Sequence, residues 1–298
     1  MKSNNEKKLS IVLATYNEEK NITTCLESIK SLADEIVIID GSSNDKTVEI
    51  AKKYSKKVIV TDNPPIFHIN KQKALDNATG DWILQLDADE IVTQELALEI
   101  RKVISLNQEE LVAYQEKLVN RSLFLRHQNI ISKRDGLIGR HDNEIVAFYI
   151  PRRNFFLGKF LMHGGVYPDG VIRLVKNGKA RFPAKSVHEQ ITVDGKIGWL
   201  QHDIIHMDSP TFSKYLARWN RYTDLQAQEI KKNIKRNKLS FIFNYLFYYP
   251  SKWFFLTYFR HKGFMDGWQG FVFHFFFLTK IYCKLYKIYK VSISHYCI

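Results

Sequence analysis

Three carboxylates lie within four positions at Asp87-Ala88-Asp89-Glu90, directly after the apolar run Trp82-Ile83-Leu84-Gln85-Leu86. Carboxylates crowded in this way repel one another and lose hydration, so the cluster calls for a cation or for shifted ionisation. Hard oxygen donors at the carboxyl end of a buried strand suit Mg²⁺ or Mn²⁺ carrying a diphosphate. An isolated Asp-x-Asp is equally at home in a solvated acidic turn, so the surroundings decide. Two more polar clusters follow apolar runs in the same manner. They are Thr15-Tyr16-Asn17-Glu18 after Leu9–Ala14, and Asp40-Gly41-Ser42-Ser43-Asn44-Asp45 after Glu35–Ile39.

The elements that must position these clusters alternate along the chain. Leu9–Ala14, Glu35–Ile39, Val58–Thr61 and Trp82–Leu86 are short apolar or β-branched runs, the pattern of strands covered on both faces. Between and after them, Asn21–Lys30 spaces Ile22, Leu26 and Ile29 on one helical face. Lys46–Tyr54, Asn70–Ala78 and Thr93–Ser105 read as further helices. Repeated β-α units with short loops predict an α/β fold with a mostly parallel sheet and helices on both faces. Ligands of such sheets gather beyond the carboxyl ends of the strands, where all three clusters fall. No G-x-G-x-x-G follows the first strand and no G-x-x-x-x-G-K-[ST] occurs, which counts against a Rossmann dehydrogenase and a P-loop NTPase. Arg121–Arg153 is basic without a clear period and reads as a loop over the site. The turn Gly164–Gly170 is flanked by the apolar stretches Ala147–Ile150 and Val171–Val175, and 211–237 has a helical pattern.

Composition separates the C-terminal third from the rest. The chain of 298 residues carries a net charge of +13, and from Leu200 onward 15 Lys/Arg face 5 Asp/Glu, a balance of +10. Residues 240–298 hold 22 of the 40 Phe, Trp and Tyr. Basic charge among long aromatic runs such as Phe271–Leu278 favours an anionic membrane surface over nucleic acid, whose sites use single stacking aromatics in polar grooves. No run approaches about 20 clean apolar residues, because Pro250 and Lys252 interrupt one candidate and Asp266 and His274 the other. Interfacial helices are the expectation, with Lys280, Lys284, Lys287 and Lys290, at spacings of four and three, along one helical face toward anionic head groups. Met1–Lys8 is polar, with no signal-peptide pattern. Cys25, Cys283 and Cys297 share no metal-like spacing, so a reducing, cytoplasmic compartment is expected. The division expected is a catalytic domain over 1–236 and a basic, aromatic helical tail over 237–298, peripheral on the inner face of the cell membrane.

Taken together, Leu9-Ser10-Ile11-Val12-Leu13-Ala14-Thr15-Tyr16-Asn17-Glu18-Glu19, the Asp40–Asp45 turn and Asp87-Ala88-Asp89 resemble glycosyltransferase family 2, with its Rossmann-like GT-A fold. His163-Gly164-Gly165 with Tyr167-Pro168-Asp169, Arg173-Leu174, Val187-His188-Glu189, His206 and Asn220-Arg221-Tyr222-Thr223 look like the branch around lipopolysaccharide core β-1,4-glucosyltransferases. The resemblance implies an inverting, metal-dependent transfer of one sugar from a UDP-sugar to a glycan or glycolipid hydroxyl. Asp40 would accept a hydrogen bond from the uracil imide, with Thr15, Tyr16 and Glu18 lining the nucleotide. Lys71 would offset diphosphate charge, an exposed lysine being the competing reading. Asp89 would hold Mn²⁺ or Mg²⁺, with His206 as a further ligand and Asp87 contacting ribose or the metal through water. The acceptor would approach over Gly164 and Gly165. Glu189 would be the base that takes the acceptor proton, with Asp169 as runner-up. Tyr215 stands where the Gln-x-x-Arg-Trp motif of processive members needs Gln, before Arg218-Trp219, which disfavours polymer synthesis. A polyprenyl-phosphate sugar transferase, a nucleotidyltransferase and a non-catalytic membrane-binding module remain the alternatives.

Overall fold

Each of the four N-terminal apolar runs is a strand: Leu9–Thr15, Glu35–Asp40 and Trp82–Leu86 are largely buried on both sides, while Lys57–Val60 lies at the sheet edge with Ile59 and Val60 exposed. The computed structural model describes residues 6–136, 138–139, 144–183, 190–233 and 243–293. By its internal contacts the chain divides into Met1–Arg152 with Pro168–His206, and Arg153–Tyr167 with Met207–Ile298. In the first unit β1 (Leu9–Thr15), β2 (Glu35–Asp40), β3 (Lys57–Val60) and β4 (Trp82–Leu86) pair in parallel. The chain adds β5 (Glu90–Val92), β6 (Ile145–Ile150), β7 (Arg152–Phe156), β8 (Lys159–Leu161) and β9 (Val171–Lys176). Then come β10 (Ala180–Arg181), β11 (Thr192–Val193), β12 (Lys196–Trp199) and β13 (Ile204–Ser209). The seven-stranded sheet has the order β12-β6-β9-β4-β1-β2-β3, with β9 antiparallel to both of its neighbours.

Alternation along β1 splits the core into two layers. Ile11 and Leu13 face α1 (Ile22–Ile29) through Ile22, Cys25, Leu26 and Ile29, and α4 (Gln94–Ser105) through Leu96, Ile100 and Val103. Val12, Val37 and Ile39 face the other way, toward Ala74 and Leu75 of α3 (His68–Asp76) and Phe124. The second helix, α2, is regular only over Thr47–Ala51, shorter than the sequence suggested. Thr93 caps α4 by accepting from the Leu96 amide at 3.2 Å.

The basic stretch Arg121–Arg153 is not the loop its sequence suggested. After α5 (Gln108–Glu116) it forms α6 (Arg121–Asp135) and then strand β6. Only Phe124 and Ile131 of α6 are buried, one residue per two turns, a stripe too sparse to show as a period. The apolar stretches Ala147–Ile150 and Val171–Val175 lie in β6 and β9. At the β12 edge of the sheet, the Gln115 carboxamide of α5 donates to the Trp199 carbonyl at 2.9 Å and accepts from the Trp199 amide at 2.8 Å.

The second unit groups the helix α7 (Phe212–Asn233) with the aromatic tail, so the contact boundary falls at 206/207 rather than at 236/237. The β7–β8 hairpin turns through Leu157 and Gly158 at positive φ. The tail continues as α8 (Tyr249–Phe254), flanked by the π-helical turns Asn244–Tyr248 and Phe255–Arg260, and as α9 (Gly267–Ile293). Phe156, Leu161 and Tyr215 form its small core with Phe273 and Phe276. The lysines expected along one outer face of α9 behave differently. Lys287 donates to the Asn220 carbonyl and side chain and to Thr223, and pairs with Asp224. Lys280 lies over the Tyr222 ring, and burial pushes Lys284 down to about 8. The Lys290 side chain lies outside the described residues. The aromatics, by contrast, reach solvent: Phe255, Phe259 and Trp268 are all more than half exposed. Among the described residues no helix is long and apolar enough to cross a membrane.

Candidate active site

The loops after β1 and β2 are laced together before any ligand arrives. Asn17, at φ 55°, donates its amide to the Ser43 hydroxyl, and its side chain accepts from the Asn44 amide, both at 2.8 Å. The Glu18 amide donates to the Thr47 hydroxyl and the Glu19 amide to Asp45. Asp40 closes the arrangement. One carboxylate oxygen accepts from the Thr15 hydroxyl at 2.8 Å and the Ser43 hydroxyl at 2.7 Å, and the other from the Ser43 amide at 2.8 Å. Asp40 is buried, yet a carboxylate has about four acceptor positions, so room for one further donor remains. Tyr16 is exposed beside it, and the Glu18 carboxylate accepts from the Asn21 amide group. The structure therefore brings Thr15, Tyr16, Glu18 and Asp40 to one edge, at adjoining strand ends.

The acidic cluster is a tight turn between β4 and β5. The Glu90 amide donates to the Asp87 carbonyl at 3.0 Å, and the Glu90 carboxylate accepts from the Asp87 amide. Lys71 meets Asp87 at 2.5 Å and is buried, which removes the exposed-lysine reading. Arg173 of β9 reaches Asp87 at 2.5 Å and Glu90 at 2.6 Å, and Arg152 reaches Glu90 at 3.3 Å. Burial alone would raise the Asp87 carboxyl, but Arg173 and Lys71 hold it well below the usual carboxylate range.

Strand pairing also delivers the imidazole. β13 runs antiparallel to β5 with His206 opposite Glu90, and His206 Nε2 stands 3.7 Å from Asp89 Oδ1. His202, four residues earlier, is engaged elsewhere: it pairs with Glu99 at 2.9 Å in the turn before β13. Among the described residues no three His, Cys, Asp or Glu side chains converge to hold a metal by themselves. Asp89 and His206 nonetheless fit a divalent ion that takes its remaining ligands from phosphate oxygens and water. A carboxylate with an imidazole suits Mn²⁺ more than Mg²⁺.

The acceptor-side and base residues fare unevenly. Glu189 lies outside the described residues. Asp169, at φ 37°, accepts from Arg152 at 2.8 Å. Gly164, at φ 69°, has a packing reason of its own, since an added Cβ would stand 2.1 Å from the buried His274 imidazole; Gly165 has open space at that position. Of the charged residues now seen around the turn, Arg173 was legible only as part of a resemblance. The signal was available: a lone arginine inside Val171-Ile172-Arg173-Leu174-Val175 must be buried, and a buried cation needs an anion.

Comparison with known proteins gives the family. The chain is 27% identical over 290 residues to an uncharacterised glycosyltransferase of Rickettsia bellii, covering 97% of this chain and 88% of the relative. It is 25% identical over 292 residues to the lipopolysaccharide core biosynthesis glycosyltransferase LpsC of Rhizobium meliloti, covering 92% of each. Glucosyl-3-phosphoglycerate synthase from Mycobacterium tuberculosis, solved with Mn²⁺ and uridine-diphosphate-glucose, is 25% identical with a TM-score of 0.27. That match spans only 30% of this chain and 35% of the synthase. The model of the family described as Glycosyl transferase family 2 matches residues 10–165, just over half of the 298, and the chain belongs to that family.

Proposed function

We propose that this glycosyltransferase moves a single sugar from a UDP-sugar to a hydroxyl of a glycan or glycolipid of the cell envelope, with inversion. The observation that carries the reading is the Asp89–His206 pair beside carboxylates that are already neutralised by buried cations. In this reading Asp40, held by Thr15 and Ser43, accepts from the uracil imide. Lys71 keeps Asp87 ionised and in place toward the ribose side. When bound at Asp89 and His206, Mn²⁺ or Mg²⁺ supplies Lewis-acid stabilisation of the departing diphosphate. Glu189 takes the proton of the acceptor hydroxyl, a task typically contributing about 10²- to 10⁴-fold. With one base and no nucleophile assigned to the opposite face, a single displacement inverts the anomeric centre. The envelope acceptor is supported by the near full-length likeness to LpsC. The exposed aromatics of α8, the adjoining turns and α9 support docking on the cytoplasmic leaflet of an anionic membrane.

The test is a screen of nucleotide diphospho-sugars for binding and for slow hydrolysis, each with Mn²⁺, Mg²⁺ and chelator. UDP-sugars should bind more tightly with metal and release UDP. Absence of any metal-dependent binding of a nucleoside diphosphate would sink the reading.

A further inference from the structure

One guanidinium touches both corners of the acidic turn. Asp87 and Glu90 are its first and fourth residues, joined by the Glu90 amide to Asp87 carbonyl bond, and Asp89 is its third. Arg173 stands on β9 beside β4, where the next residue, Leu174, is opposite Leu84. From there Nη1 donates to Gln85, and Nη2 donates to Asp87 and to Glu90. The Arg173 side chain is 7% exposed and that of Glu90 not at all. Lys71 and Arg152 add one contact each from the flanks, to Asp87 and Glu90 respectively. Neither bridges the two corners.

From this geometry we infer that Arg173 is a positioning residue of the transfer reaction: by tying Asp87 to Glu90 it fixes the turn between them and sets Asp89 against His206. The inference rests on the metal reading given under Proposed function. A planar fork with several donors can serve two carboxylates and an amide at once, which an ammonium on a flexible stem cannot reproduce. Arg173 itself needs no contact with substrate.

The experiment compares wild type, Arg173→Lys and the double variant Arg173→Met/Glu90→Gln, with UDP as probe. Calorimetry with and without Mn²⁺ gives the metal-dependent gain in affinity, and steady-state rates give donor KM and kcat. The double variant removes buried charge of both signs, so it remains informative if the lysine variant does not fold. Both variants should keep metal-free UDP affinity within about twofold and lose about tenfold or more of the metal-dependent gain. Donor KM should rise more than kcat falls. A folded lysine variant with the wild-type gain overturns the inference, because charge alone would then suffice. A double variant with the wild-type gain overturns it as well, because Arg173 would act only as a neutraliser. Wild type lacking any metal-dependent gain overturns the metal reading along with it, and is thereby distinguished from either variant result.

Discussion

Two buried polar sites, one in each unit, are built by opposite means. Around the acidic turn of the first unit, charges are buried as a network: Lys71, Arg152 and Arg173 against Asp87, Glu90 and Asp169. In the second unit, His274 is buried among aromatics, its ring near Trp253, Tyr258 and Phe273, and burial pushes its pKa down to about 4 with Asp266 opposing. Its Nδ1 has no hydrogen-bond partner among the described residues. The second unit also leaves large aromatics in solvent, which the first does around its site, among the described residues, only at Tyr16 and Phe67. A network of paired charges holds geometry against a charged substrate. Unpaired aromatic surface has value only against something apolar.

The sharpest way to break this comparison is Asp89→Ala. Turnover should fall by at least about 10³-fold and metal-dependent UDP binding should vanish, with the fold intact by circular dichroism. Unchanged metal-dependent affinity by titration calorimetry would remove Asp89 from the metal site. Glu189→Gln should keep donor binding and lose about 10²-fold in turnover with a hydroxyl acceptor. Near wild-type rates with that acceptor would shift attention to Asp169, and survival only with a phosphate acceptor would point to a polyprenyl-phosphate substrate.

His274 gives a stability prediction. Its folded pKa lies below the value of about 6.5 expected when unfolded, so the unfolded chain binds the extra proton first as pH falls. The stability is fully present above that value and is lost progressively down to about pH 4, by about 2–3 kcal/mol. Denaturant midpoints should show this slope in wild type and not in His274→Gln; equal slopes would count against a neutral buried imidazole. The smallest effect is expected at the surface. Phe255→Ser with Phe259→Ser should weaken co-sedimentation with anionic vesicles by roughly tenfold while leaving turnover on a soluble acceptor unchanged. Vesicle binding of wild type should weaken but persist at high salt. A wild-type protein that ignores anionic vesicles at low salt would sink the membrane reading.

The parallel half of the sheet was legible because its strands announce themselves. Ile11, Val12 and Leu13 are apolar in succession, and the clusters that end β1, β2 and β4 are polar in succession. Family resemblance supplied His206, but only the β5–β13 register explains why it faces Asp89. The antiparallel strands β6 and β9 showed as apolar stretches without a place in the order, because sheet order follows from long-range pairing that local period does not carry. α6 was missed for its sparse apolar stripe. The lysines of α9 were misread for a related reason: spacing puts them on one face, yet nothing local says that α7 covers part of it.

The Gln115 carboxamide has a consequence for how this protein meets other chains. Sheet edges invite foreign strands, because each outward amide and carbonyl is an open template. In a strand as short as β12, only alternate residues turn their backbone outward, and Gln115 occupies both groups of Trp199 from the side chain alone. A carboxamide imitates a peptide unit, offering an N–H donor and a carbonyl acceptor side by side. Gln115→Glu keeps the shape and deletes the donor, so the Trp199 carbonyl would be left to recruit a partner. A single oxygen-for-nitrogen exchange would thereby open the Trp199 end of that edge to accretion.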